Sequence, residues 1–148
     1  MLRTARLALL LIFGASLLSC GSDAKTVTPE SLRSEAARME WPSGVPATKS
    51  LWRFYQLDGA VAPLETILER ANACIWYRAW LSDYRSSFEV SPRTLLYLEN
   101  VIPGFAYLRD ASGGVEQAHQ FADSARRGEP DRIVSFLAVN KCQTLDQP

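Results

Sequence analysis

The sequence predicts an all-α fold, a small bundle of about five to six helices closed by one disulfide. Three observations carry this. Apolar residues recur at three- and four-residue spacing and never alternate over a strand-length run. Prolines follow plausible caps in Thr28-Pro29, Ser91-Pro92 and Glu129-Pro130, at the first helical position where no amide donor is lost. Glycines (Gly59, Gly113-Gly114, Gly128) stand where the periodic segments stop.

Taken in order, Pro29 to Glu40 places Leu32, Ala36 and Met39 on one face of a first helix. Trp41-Pro42-Ser43-Gly44-Val45-Pro46 breaks it, because two prolines and a glycine cannot continue a helix. An indole on such a turn is expected at the surface, so Trp41 is a subsidiary binding candidate. Thr48 is expected to cap a second helix with Leu51, Phe54 and Tyr55 facing inward. Ala62-Pro63 opens the longest segment, to about Ser86. Leu64, Ile67, Leu68, Ala71, Cys74 and Ile75 mark one stripe of it, while Trp76, Trp80 and Tyr84 lie four apart on another. A helix apolar on two sides is central, packed by neighbours on both.

From Pro92 to Asp110 the spacing is again helical, through Tyr97, Val101, Phe105 and Leu108. Pro103 clashes near the carbonyl of Glu99 and lacks a donor, and Gly104 favours a break over a kink. Val115 to Arg127 puts Ala118, Phe121, Ala122 and Ala125 on one side. Asp131 to Lys141 holds Ile133, Val134, Phe136, Leu137 and Val139, and is expected to be deeply packed. No strand, internal repeat or low-complexity stretch is visible.

The amino terminus has a different character. Arg3 and Arg6 precede an uncharged, mostly aliphatic run from Leu7 to Leu18, then Ser19-Cys20-Gly21. A basic region, a short apolar region and a small residue before the cut make a secretory signal. The run is too short to span a bilayer. Leu17-Leu18-Ser19-Cys20 resembles the lipobox of bacterial lipoproteins, although Leu18 is bulkier than usual at its place. The resemblance implies cleavage before Cys20, lipid on its sulfur and acylation (palmitate-type chains) of the new amino terminus. Residues 1–19 are then the signal, 20–28 the lipidated cysteine and a small, polar tether, and 29–148 a single helical domain. The implied location is exported and anchored to a bacterial membrane. That is the outer face of the cell membrane in a monoderm. In a diderm, Gly21 rather than Asp after the cysteine resembles the pattern sent to the outer membrane.

Removing the signal leaves 129 of the 148 residues, enough for one core. Basic residues fall from 16 to 14 against 16 acidic, with no block of like charge. A nucleic-acid partner needs a concentrated basic face, and none is present in the sequence pattern. With Cys20 assigned to lipid, Cys74 and Cys142 form an even pair in an exported chain, where such pairs close. The loop of roughly 69 residues is worth about 4 kcal/mol at most in the chain-entropy account. There is no Cys-x-x-Cys spacing for redox work.

A search for chemistry is mostly negative. Glu116-Gln117-Ala118-His119 sets a carboxylate and an imidazole on one helical face, as in di-iron bundles, but those need a second such motif and this chain has one histidine. His119 is expected to be a helix-surface histidine or one with its hydrogen bonds satisfied, and neither metal nor cofactor is predicted. No Gly-x-Ser-x-Gly and no phosphate-cradling loop exists. Ser22-Asp23-Ala24-Lys25 matches Ser-x-x-Lys by letter only, in the tether. Glu65 and Glu69 share a helical face and are expected to be a hydrated surface pair. Trp76, Tyr77, Trp80 and Tyr84, interleaved with Arg78 and Arg85, are the one cluster with binding potential. Their more economical role is the core of a bundle built round the long helix.

The leading expectation is a lipid-anchored, non-catalytic envelope protein that binds a protein partner at the membrane surface. Its size, helices, lipobox and cysteine pair are similar to those of the pilotins of secretion systems, though no motif of that family is matched. The alternatives are a cell-wall or glycan-binding module using an exposed Trp76–Tyr84 face, and an envelope hydrolase with an unrecognised site. An exposed aromatic groove would favour the first, and a deep pocket holding His119 beside acidic groups the second.

Overall fold

Thr28 starts the first helix by chemistry local to the chain. Its hydroxyl accepts from the Ser31 amide at 3.1 Å, while the Ser31 hydroxyl accepts from the Thr28 amide at 2.9 Å. This reciprocal cap, with Pro29 at the first helical position, opens α1 (Pro29–Ala36). The computed structural model describes residues 26–58, 62–87 and 89–146. The signal, Cys20, the Ser22–Lys25 match and Gly59 lie outside them. The architecture is all-α: α1 is followed by α2 (Thr48–Asp58), α3 (Leu64–Ser87), α4 (Pro92–Asn100), α5 (Ala106–Asp110), α6 (Gly114–Arg126) and α7 (Asp131–Val139). Short 3-10 turns span Ile102–Gly104 and Cys142–Asp146, and among the described residues no strand forms.

Among the described residues there are seven α-helices, against the expected five to six, and Pro103 does break its helix. α4 ends at Asn100, and Phe105 is extended before α5 begins. The helical phase is lost there, so Val101, expected inward, is exposed. The first helix also stops four residues short of Glu40. The Trp41 indole turns back and donates to the Ala36 carbonyl at 2.8 Å, satisfying an acceptor at the helix end. Trp41 is therefore only 4% exposed, contrary to its expected surface position. Thr48 is the first residue of α2 and not its cap. Pro130 precedes α7 and is not its first residue.

Two turns depend on glycine. Gly128 (φ +70°) follows α6. Its amide reaches the Ala125 carbonyl and that of Glu129 reaches Ser124, a Schellman closure. At Gly114 a Cβ would fall on the backbone of Leu108, so only glycine lets α6 start against α5.

The 24-residue α3 is the axis of the molecule and is buried on both sides. Ile67, Leu68, Ala71 and Cys74 pack with Leu32, Ala36, Trp41, Leu51 and Phe54, and with Cys142 and Leu145 of the carboxyl-terminal turn. Ala73, Trp76, Tyr77, Trp80 and Leu81 pack instead with α4, α6, Leu108 and Ile133. One helix thus supplies residues to two half-cores, as its double stripe requires. α7 is less buried than its composition suggests. Only Ile133 is fully enclosed, while Val134 and Val139 are 41% and 76% exposed. It lies at the edge of the bundle and presents only one face to α3 and α6.

Candidate functional site

Cys74 and Cys142 form a disulfide with a Cα–Cα distance of 5.4 Å. Cys74 comes from the middle of α3 and Cys142 from the turn after α7, so the bond holds the chain's end against the central helix.

Beside this bond, the second half of α3, the Pro42–Ser43 turn and the segment from Leu137 to Gln143 enclose an open groove of about 870 Å³. Its floor is apolar: Ile75, Ala79, Leu81, Leu137 and Ala138. Among the described residues, Arg78 and Arg85 are the charged side chains that line it. The Arg78 guanidinium also donates to the Cys142 carbonyl at 3.4 Å, tying the groove's two walls together. Ser82 and Arg85 are exposed beside it.

The Pro42–Ser43 wall is positioned by a buried polar cluster. Asn72, wholly enclosed on α3, donates to the Glu40 carbonyl at 2.7 Å and accepts from the Tyr97 hydroxyl at 2.9 Å. The Trp76 indole donates to the same carbonyl at 3.2 Å, and its ring stacks on Tyr97 with centroids 4.0 Å apart. Burial, with the Glu40 charge adding to it, pushes the Tyr97 phenol up to about 12. Outside this cluster, Arg93 pairs with the Glu40 carboxylate at 2.7 Å and lies over the Trp76 ring. Three segments are thereby fixed by one carbonyl oxygen.

The aromatic cluster is core, not surface. Trp76 and Tyr77 are 1% exposed and Trp80 is fully buried, while Tyr84, half-buried, stacks on Trp80 at 5.2 Å. The face suggested for sugar stacking therefore does not exist as an open surface, because α4, α6 and α7 cover it. Tyr77 meets Phe121 and Phe136 edge-on and lines a cavity of about 290 Å³ with Ile102, Tyr107 and Leu108. Its hydroxyl has no hydrogen-bond partner, and burial raises its pKa far above that of an ordinary tyrosine.

Glu65 and Glu69 both border a pocket of about 490 Å³ with Glu35, Arg38 and Leu68, but they are not a hydrated pair. Glu65 is exposed, whereas Glu69 is buried and accepts from the amides of Ala106 and Tyr107 at 2.9 and 3.1 Å. It supplies the amino-terminal cap that α5, beginning after the Pro103 break, lacks locally. His119 is exposed on α6 and lines neither the groove nor the Tyr77 cavity. Among the described residues no cluster of His, Cys, Asp or Glu could hold a metal, and no helix is long and apolar enough to cross a membrane.

Sequence reasoning missed the groove, Asn72 and Glu69. Asn72 gave a signal, being a polar residue inside an apolar stripe; the groove gave none, since its walls are far apart in the chain. No protein-family model, curated protein or solved structure matches this chain.

Proposed function

We propose that this is a lipid-anchored, non-catalytic envelope protein that holds a segment of a protein partner in the α3 groove at the membrane surface. The anchoring half of the reading rests on the lipobox-like Leu17–Cys20. The binding half rests on one observation: an open, apolar-floored groove beside the disulfide, rimmed by two arginines. Arginine is among the residues enriched in protein-interface hot spots. A partner carried in this groove stays at the membrane because several acyl chains hold stably where one does not.

A photo-crosslinking residue at Ser82, in the groove, tests the binding half against the same residue at the exposed Gln56 on α2. In intact cells making the lipidated protein, Ser82 is expected to trap one defined protein that Gln56 does not. Identical adducts from both positions, or none from Ser82, would refute the groove as the docking surface. Cys20→Ala tests the other half: wild type fractionates with membranes and the variant loses its lipidated, processed form. An unmodified mature amino terminus in the soluble envelope fraction refutes anchoring.

A further inference from the structure

We infer that the cavity between α5, α6 and α7 is a second binding site, for an uncharged, mainly apolar small molecule that offers one hydrogen-bond acceptor to the Tyr77 hydroxyl. It shares no lining residue with the α3 groove and stands independently of it. The space follows from the chain's own breaks. After the break at Pro103, α5 is only five residues long, and Gly114 lets α6 start directly against it. α7 closes the third side as an edge helix, with only Ile133 fully enclosed. Phe121 and Phe136 meet Tyr77 edge-on instead of stacking over it, and about 290 Å³ is left between the three helices.

The lining sets the ligand's chemistry. Among the described residues none of the side chains lining the cavity is charged, so an ion would lose its hydration there without a partner. Ile102, Leu108, Ala118, Phe121 and Phe136 present apolar surface, while Ser112 and Gln117 are exposed at the outer edge. Tyr77 is the inner group: it is 1% exposed, and its hydroxyl has no partner within the fold. Burial raises its pKa far above that of an ordinary tyrosine, with Tyr107 of the same lining adding to the rise, so the phenol stays a neutral donor. A buried donor left without an acceptor is costly, and a bound ligand's acceptor removes that cost. A lone water fits this place poorly, because it takes about two to four polar partners and Ile102, Leu108, Phe121 and Phe136 offer none. A cavity of about 150 Å³ takes up one benzene ring. This one, at about 290 Å³, has room for two fused rings.

The test uses the mature lipidated protein in phosphatidylcholine nanodiscs, with uptake by empty nanodiscs subtracted, and two probes of one shape. 2-Acetylnaphthalene carries the acceptor, and 2-isopropenylnaphthalene has a CH2 group in place of the carbonyl oxygen. The ketone is expected to bind about fivefold or more tightly than the alkene. It should shift the ring resonances of Phe121 and Phe136 and leave those of Phe54, in the other half-core, in place. The signal of its labelled carbonyl carbon should move to a hydrogen-bonded position. Tyr77→Phe should bring the ketone down to the alkene's affinity without lowering the melting temperature. 2-Naphthoate, charged and of similar size, should bind at least about tenfold more weakly than the ketone. Equal binding of ketone and alkene by the wild type, binding of neither (a bound water only), or an unchanged preference in Tyr77→Phe overturns the inference. Tighter binding of 2-naphthoate, or shifts at Phe54 instead of Phe121 and Phe136, does the same. If Tyr77→Phe does not fold, the carbonyl signal and the ketone–alkene gap of the wild type decide.

Discussion

Replacing both Cys74 and Cys142 by alanine removes the only covalent bond between α3 and the end of the chain among the described residues. The two cysteines are 68 residues apart, and closing a loop of that size lowers the entropy of the unfolded chain by an amount worth about 4 kcal/mol. Both are buried among apolar neighbours, so alanine leaves small voids and no unpaired polar group. At about 2 cal/mol/K of unfolding entropy per residue, a domain of this size loses roughly 4 °C per kcal/mol. The double variant should therefore melt about 15 °C lower, with helical content retained in the cold. Since Leu145 packs in the same half-core, the Cys142–Asp146 turn should lose amide protection first, before α3. Circular dichroism melts and native-state hydrogen exchange read both effects. An unchanged midpoint, or uniform loss of protection across the domain, would refute this account of the bond. Alkylation of both thiols in the denatured wild type without reductant would refute the bond itself.

Asn72→Ala should cost about 2 kcal/mol, because the Tyr97 hydroxyl loses its 2.9 Å acceptor while the Glu40 carbonyl keeps its bonds from Trp76 at 3.2 Å and Tyr97 at 3.5 Å; urea titration measures it, and a loss under about 1 kcal/mol would show that the cluster relaxes freely. Tyr77→Phe should leave stability unchanged or raise it by up to about 1 kcal/mol, since the hydroxyl is buried without a partner; clear destabilisation would mean that the hydroxyl is satisfied in solution. Tyr77, Tyr97 and Tyr107 all have raised pKa values, Tyr97 to about 12, so the folded state holds protons that the unfolded chain releases near pH 10. Their contribution is complete below pH 10; that of Tyr97 is lost as pH rises through about 12 and those of Tyr77 and Tyr107 at higher pH still, and equal unfolding midpoints at pH 9 and 11.5 would contradict this.

The helices were legible in the sequence because each announces itself within a few residues: Thr28-Pro29 by its cap, Gly128 by its left-handed stop, α3 by its double stripe. The break at Pro103 follows from its ring clash and missing donor together with the adjacent Gly104. What escaped the sequence depends on residues far apart. Trp41 looks like a surface indole until α3 and α1 are brought round it, and then its N–H closes the end of α1. Glu69 looks like half of a solvated pair until α5 arrives with two unsatisfied amides. α7 is apolar on several faces, and composition cannot tell that it would be an edge helix with Val139 in solvent. The aromatics of α3 lie in the core, because a four-residue spacing on a doubly apolar helix leaves them little outward surface.

The groove has no local signature because it is a seam. Pro42 and Ser43 reach it through the Glu40 carbonyl and Asn72, and Gln143 through the disulfide at Cys142, while α3 supplies the rest. Each wall is thus held to α3 by a buried interaction of its own: a hydrogen-bonded amide on one side, a covalent bond on the other. These are independent anchors, so loosening one should leave the other wall in place, with the arginines still on α3. The buried polar cluster and the disulfide thus lie on either side of one helix, and each fixes one wall of the seam.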